Sequence, residues 1–250
     1  MKVPTAKSKV FPPLLILACG MGFIELLVQY GFVRDYFLPA PSQVLKAIGE
    51  ERELLAEATL STLFSASIGL LLSFFIGTFL AVLFSVSSFL RRAVYPYAVF
   101  FQTVPVISIA PLLVIWFGFG QPTVIACSFI VSIFPVIANG LLGLQSADPH
   151  LLELFKLYSA SPLDCFLKLK FPSALPSLFA GLRIASGLAI VGAIVGEFIA
   201  GGGLGGIVDS ARTQQRVDLV FASVVISSLL GLIFVVCINL MSIKALHTKN

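Results

Sequence analysis

Residues 93–147 form a run of 55 residues without a single Asp, Glu, Lys or Arg. As one helix it would extend on the order of 80 Å at 1.5 Å per residue, well beyond the ~30 Å hydrocarbon core of a bilayer. The run must therefore cross, turn and cross back. The turn belongs at Gly118-Phe119-Gly120-Gln121-Pro122, where glycines, an amide and a proline interrupt the apolar pattern. A second charge-free stretch, 58–90, holds one long span, and 219–243 holds another. Two more, 11–32 and about 174–199, are interrupted by Glu25 and by Arg183 and Glu197. The reading is a single-domain, all-α membrane protein over 1–250, with six transmembrane helices at about 11–32, 59–87, 93–117, 122–144, 174–199 and 219–243. Composition agrees: 58% of residues are apolar and 11% charged, too few charges to coat a soluble globule.

Loop charge sets the orientation. With the N-terminus cytoplasmic, that side receives Lys2, Lys7, Lys9, Arg91, Arg92, Lys156, Lys168, Lys170, Lys244 and Lys249, against Arg34, Lys46, Arg52, Arg212 and Arg216 outside. The bias predicts both termini in the cytoplasm. Asp35, Glu50, Glu51, Glu53, Glu57, Asp209 and Asp218 fall on the outer side. The basic residues form no stripe, so no nucleic-acid partner is expected. Three lysines before Leu14–Gly20 also imitate a secretory signal, but apolar sequence continues through Met21, Phe23 and Val28, as in an uncleaved first span. Cys19, Cys127, Cys165 and Cys237 are scattered without metal spacing and read as reduced.

Pro105, Pro111 and Pro135 lie in adjacent spans. Each frees a backbone carbonyl that neighbours or a cavity must satisfy, and together they suggest a broken, solvent-reaching interior. The cytoplasmic segment 148–172 carries the clearest local pattern. Asp148 suits a helix cap with Pro149 at the first position, and Leu151, Leu154, Phe155 and Tyr158 then make one apolar face. Ser161-Pro162-Leu163-Asp164 repeats the start signal, so two short helices meet at a bend near Ser159 and Ala160. The polar face mixes Glu153 with Lys156, which fits docking into a partner's groove better than lying on lipid.

Glu153-Leu154-Phe155-Lys156-Leu157-Tyr158-Ser159-Ala160-Ser161, then Phe171-Pro172-Ser173-Ala174-Leu175-Pro176 and Gly181-Leu182-Arg183-Ile184-Ala185, resembles the EAA loop of bacterial ABC importer permeases. Further matches are Glu25-Leu26-Leu27-Val28, Leu38-Pro39-Ala40-Pro41-Ser42-Gln43-Val44, Gln102-Thr103-Val104-Pro105, Ala110-Pro111-Leu112, Trp116-Phe117-Gly118 and Gly196-Glu197-Phe198. Together they are similar to the nitrate/sulfonate/taurine branch, which includes permeases for thiamine-precursor pyrimidines and riboflavin. Leu154 and Phe155 stand where the family has alanines, and Ser159 where it has glycine. The resemblance implies a type I importer fold in the bacterial cytoplasmic (inner) membrane. It also implies a second permease copy, two ABC ATPase subunits below and an extracytoplasmic substrate-binding protein. Coupling to the ATPase would fall to Leu151, Glu153, Leu154, Phe155, Tyr158, Ser159, Ala160 and Ser161.

The chain has no GxxxxGK[ST], so ATP must be handled by another subunit. Gly201–Gly206 satisfies GxGxxG literally but lacks the flanking strand, and a flexible outer turn explains it better. His150 and His247 are the only histidines and no hydrolase motif is present; no enzyme, cofactor or metal is expected. Charged residues within spans are functional candidates. Glu25 reads as packing the first span, Arg183 as a boundary residue, and Glu197 as either an external gate or a structural hydrogen-bond partner. Gln102 and Asn139 are equally able to bond between helices or line a path. The competing class is a self-sufficient secondary transporter or channel, which would favour inverted repeats and buried coupling carboxylates; no repeat is evident.

Overall fold

The computed structural model describes residues 6–247, among which all regular structure is helical. Lys2, Thr248 and Lys249 lie outside the described residues. The helices are α1 (Ala6–Gln29), α2 (Pro41–Glu50), α3 (Arg52–Val86), α4 (Ser88–Thr103), α5 (Val106–Phe117), α6 (Gln121–Gln145), α7 (Pro149–Leu157), α8 (Pro162–Cys165), α9 (Phe171–Ala200), α10 (Gly203–Thr213) and α11 (Val217–His247). A π-helical turn, Phe166–Lys170, joins α8 to α9. Proline stands in the first turn of α2, α6, α7 and α8, where its missing N–H costs nothing. Ser87 separates α3 from α4: its backbone is extended, and its hydroxyl accepts the Leu90 N–H at 3.2 Å.

α6 is the middle layer, between α3 and α9. Its seams are built from small residues, because helices in lipid associate by close packing and interhelical hydrogen bonds. A Cβ on Gly192 of α9 would stand 2.7 Å from the Cys127 carbonyl of α6, so only glycine allows this approach. Ser128 on α6 donates to the Ala189 carbonyl at 3.0 Å, and Ser73 on α3 meets Ser132 on α6 at 2.7 Å. Outward faces are apolar: Phe64, Leu71, Phe75 and Phe79 line the exposed side of α3.

Two ends of the bundle are distinct. At one, Leu55 and Ala58 pack with Leu204, Ile207, Ala211, Leu219 and Ala222, and Arg216 bridges Glu51 (2.6 Å) and Asp218 (3.1 Å). The hydrogen bonds to Glu51 first, and then to Asp218, raise the Arg216 pKa above its ordinary value. At the other end Ala81 and Phe84 of α3, Leu141 and Leu144 of α6 and Ala174 of α9 form a cluster joined by Leu90 and Phe166.

Among the described residues, four helical stretches are long and apolar enough to cross a membrane: Arg52–Val86, Gln121–Gln145, Pro162–Ala200 and Val217–Ala245. The stretch expected as one span at 93–117 is instead the pair α4 and α5, bent by 103° at Val104–Pro105; counted together they make a fifth. The physical reason is Pro105, which has no N–H to carry the ladder across. The apolar part of α1, Leu15–Gln29, is shorter than these. A second difference lies at Gly201–Gly206, expected as a flexible turn. Only Gly201 and Gly202 precede α10, which starts at Gly203 and buries Leu204, Ile207 and Ala211 at helical spacing.

Candidate functional site

The segment between α6 and α9 takes the shape its caps dictate. Asp148 Oδ1 accepts the His150 N–H at 2.9 Å and starts α7. Ser161 accepts the Asp164 N–H at 3.1 Å, and its hydroxyl donates to Asp164 Oδ2 at 2.6 Å, starting α8. Between them the chain reverses through Ser159, at φ 51°, while the Ala160 N–H returns to the Phe155 carbonyl at 3.0 Å. Leu151, Leu154 and Tyr158 are exposed, as is Glu153, whereas Phe155 and Ala160 are half-buried and Ser161 is exposed. The most open apolar side chains are Leu157 at 82% and Tyr158 at 79%. Leu157 was not on the face drawn from the sequence, yet its i+3 spacing from Leu154 was the available signal. A left-handed non-glycine residue costs about 1–2 kcal/mol. Ser159→Gly is therefore expected to raise the thermal unfolding midpoint of the purified protein and Ser159→Val to lower it; equal midpoints would remove the strain argument.

The second candidate region is the broken span. Gln102, in the last turn of α4, lines a cavity of about 490 Å³ between α4, α5 and α6, walled by Phe101, Trp116, Phe129 and Phe134. Asn139 is placed elsewhere. Its amide donates to the Pro135 carbonyl one turn back in α6 at 2.9 Å, and its Cβ and that carbonyl face Gly181 of α9. Gln102 and Asn139 are thus not brought together.

Glu197 is the third candidate, 1% exposed near the end of α9. Its Oε2 accepts from Thr62 Oγ1 at 2.9 Å and from the Gly205 N–H at 3.0 Å, while the Leu204 N–H donates to Thr62 Oγ1 at 3.0 Å. The carboxylate therefore caps α10, joining α9, α3 and α10 where a helix N-terminus favours negative charge. Its Oε1 has no partner among the described residues and lies against Gly203, where a side chain would overlap the carboxylate. Beside it a cleft of about 660 Å³ opens between α3, the end of α9 and α10, with Glu57, Ser61 and Asp209 on its walls. Glu25 plays a similar part for α2: its two oxygens accept the Ser42 N–H (3.0 Å) and hydroxyl (2.7 Å). Arg183 is exposed on α9.

Residues 69–243 match the family model described as binding-protein-dependent transport system inner membrane component. The chain is 37% identical over 221 residues to a probable ABC transporter permease protein of Haemophilus influenzae, covering 88% of this chain and 90% of that one. It is 40% identical over 202 residues to the formylaminopyrimidine transport permease protein of Halalkalibacterium halodurans, covering 80% and 81%. Among solved structures it resembles an inward-facing methionine ABC transporter at a TM-score of 0.67 and 19% identity, covering 80% of this chain and 98% of that one, which establishes the type I importer fold. These relatives are permease components and not catalytic subunits. The chain belongs to the binding-protein-dependent inner membrane component family, and is a multi-pass inner-membrane permease subunit of an ABC importer.

Proposed function

We propose that two copies of this chain form the translocation pathway of the importer, with six spans each and both termini in the cytoplasm. α1 supplies the sixth span beside the bent pair and the four long helices. A substrate-binding protein delivers solute at the Arg216 end, and two ATPase subunits dock on residues 148–172 at the opposite end. The observation that carries this reading is the row Leu151, Leu154, Leu157 and Tyr158, apolar side chains left open on a capped helix at the end away from Glu197. A soluble partner with an apolar groove accounts for such a row.

Glu153, Phe155, Ser159, Ala160 and Ser161 then set the angle at which that helix is presented. Closing of the ATPase pair on ATP moves α7 and α8, and differential contacts in the two states shift the permease between inward-open and outward-open forms. Gln102 lines the path, Asn139 braces α6 against α9 at Gly181, and Glu197 holds α10 at the outer gate. Uptake into vesicles holding permease, ATPase and binding protein should require ATP; accumulation without the ATPase would assign a self-sufficient transporter instead.

Orientation has its own test. Single cysteines at Ser8, Glu51, Gln214 and Thr248 in a cysteine-free background should react with an impermeant maleimide from outside only at 51 and 214. Labelling of position 8 or 248 in sealed cells would overturn the arrangement.

A further inference from the structure

We propose that Arg183 is a fixed positive charge on a water-filled wall of the translocation pathway, placed at mid-membrane depth to hold inorganic cations out. Between Phe171, where α9 starts, and Arg183 the helix axis rises about 18 Å. The neighbouring Leu182 and Ala185 pack with Val136 and with Leu70, midway along α3. Snorkelling along one side chain does not close that distance to the nearer headgroup layer. Arg183 is exposed, and its guanidinium has no hydrogen-bond or ion-pair partner among the described residues.

The face around it is unlike a lipid-facing one. Pro176, Ala180, Arg183, Gly187 and Val191 recur at helical spacing along one stripe of α9, all exposed except the half-buried Gly187. A Cβ on Gly187 would meet only Val235, at 4.0 Å, so the turn beyond the guanidinium is open. The exposed side of α3 is carpeted instead by Phe64, Leu71, Phe75 and Phe79. Acyl chains over Arg183 would strip its water and return nothing. A second copy of the chain does not neutralise it either. The sequence has no Asp or Glu in 58–147, 165–196 or 219–250. The two carboxylates within spans are already engaged, Glu25 by Ser42 and Glu197 by Thr62 and Gly205. Water is the partner left, and at this depth water belongs in a pathway enclosed by protein. Low-dielectric walls focus the field of a charge on such a pathway, and an arginine there repels cations. An uncharged molecule meets no such barrier, so the charge keeps ions from slipping through without choosing the cargo.

This inference rests on the reading of two copies enclosing a pathway, so the charge is measured apart from transport. Ala180, one turn nearer Phe171 on the same stripe, is changed to cysteine in the cysteine-free full-length chain in liposomes. Anionic 2-sulfonatoethyl and cationic 2-trimethylammonioethyl methanethiosulfonate are supplied on both sides of the membrane. Each rate is divided by that reagent's rate with free 2-mercaptoethanol. Both should react, with the anionic reagent favoured about tenfold. Arg183→Gln should remove that preference and Arg183→Lys keep it, with circular dichroism unchanged. Raising NaCl to about 1 M should erase it with Arg183 in place, a reading independent of any variant at 183. No reaction at Ala180→Cys, beside normal labelling of Glu51→Cys, would assign the stripe to lipid or to a tight contact between copies. Reaction without a preference, or with one that Arg183→Gln leaves unchanged, would leave a wet face on which Arg183 is no barrier. Either result overturns the proposal. ATP-driven uptake by the assembled importer with an unreactive Ala180→Cys would refute the charged wall while leaving the permease reading intact. A clear preference without ATP-driven uptake by the wild-type importer would do the reverse.

Discussion

Leu154→Ala combined with Tyr158→Ala should abolish ATP-driven uptake and lower ATPase co-purification by at least thirtyfold at matched membrane levels. Both side chains are open on α7, which has no buried residue of its own. Truncating an anchor in a docked apolar site commonly costs about 2 kcal/mol or more, and 1.4 kcal/mol is a factor of ten in affinity. Phe155→Ala should have the smaller effect on recovery, because half of that side chain already faces its own protein. Glu153→Ala is expected to keep assembly while loosening the link between hydrolysis and uptake. A pull-down against wild type, with uptake measured on the same vesicles, decides the matter. Equal ATPase recovery with normal uptake in the double variant would sink the docking assignment.

Gly203→Val is expected to cost about 3 kcal/mol, read as a large fall in the thermal unfolding midpoint of the purified protein. Two effects add. A β-branched residue is strained at φ 56°, and its Cβ would occupy the space of the Glu197 carboxylate. Displacing that carboxylate leaves the buried Gly205 N–H without its acceptor, at about 1–3 kcal/mol, whereas the Thr62 hydroxyl can still donate to the Ala58 carbonyl. Glu197→Ala should show the second effect without the first. Glu197→Gln retains an acceptor at the same place and is expected to fold normally while changing uptake. A wild-type midpoint for Gly203→Val would mean that α10 does not depend on this seat.

Charge alone made most of the long apolar helices legible, because a run such as 93–147 has few ways to exist in a membrane. Its interior was less legible. Pro105 marked a break, but proline permits both a shallow kink and a complete turn, and the 103° bend depends on how α4 and α5 each pack against α6. α10 was hidden for a different reason. Glycine disfavours helix, so Gly201–Gly206 looked like a loop. The helix stands because a carboxylate from α9 and a hydroxyl from α3, distant in sequence, meet its first N–H groups. The apolar spacing of Leu204, Ile207 and Ala211 was the local sign available. The Glu197 hydrogen bonds match the structural alternative considered for it, and its place beside the cleft keeps the gate proposal open to test. At Ser159, where the family has glycine, the sequence left the turn geometry open, and the backbone there is left-handed at φ 51°.

The unbroken path from α8 through the π-helical turn into α9 makes a single rod of 39 residues, Pro162–Ala200. At 1.5 Å per residue it is roughly 60 Å long, enough to pass through the whole bilayer with its headgroups. One end begins where the segment 148–172 bends, and near the other end stands the carboxylate that seats α10. A continuous helix carries to its far tip the twist or thrust applied to its near one, with the π-helical turn and Pro176 as the places where it can bend. Torque received in the cytoplasm would thus reach the opposite face of the membrane through one covalently continuous shaft, with no relay between separate helices on the way.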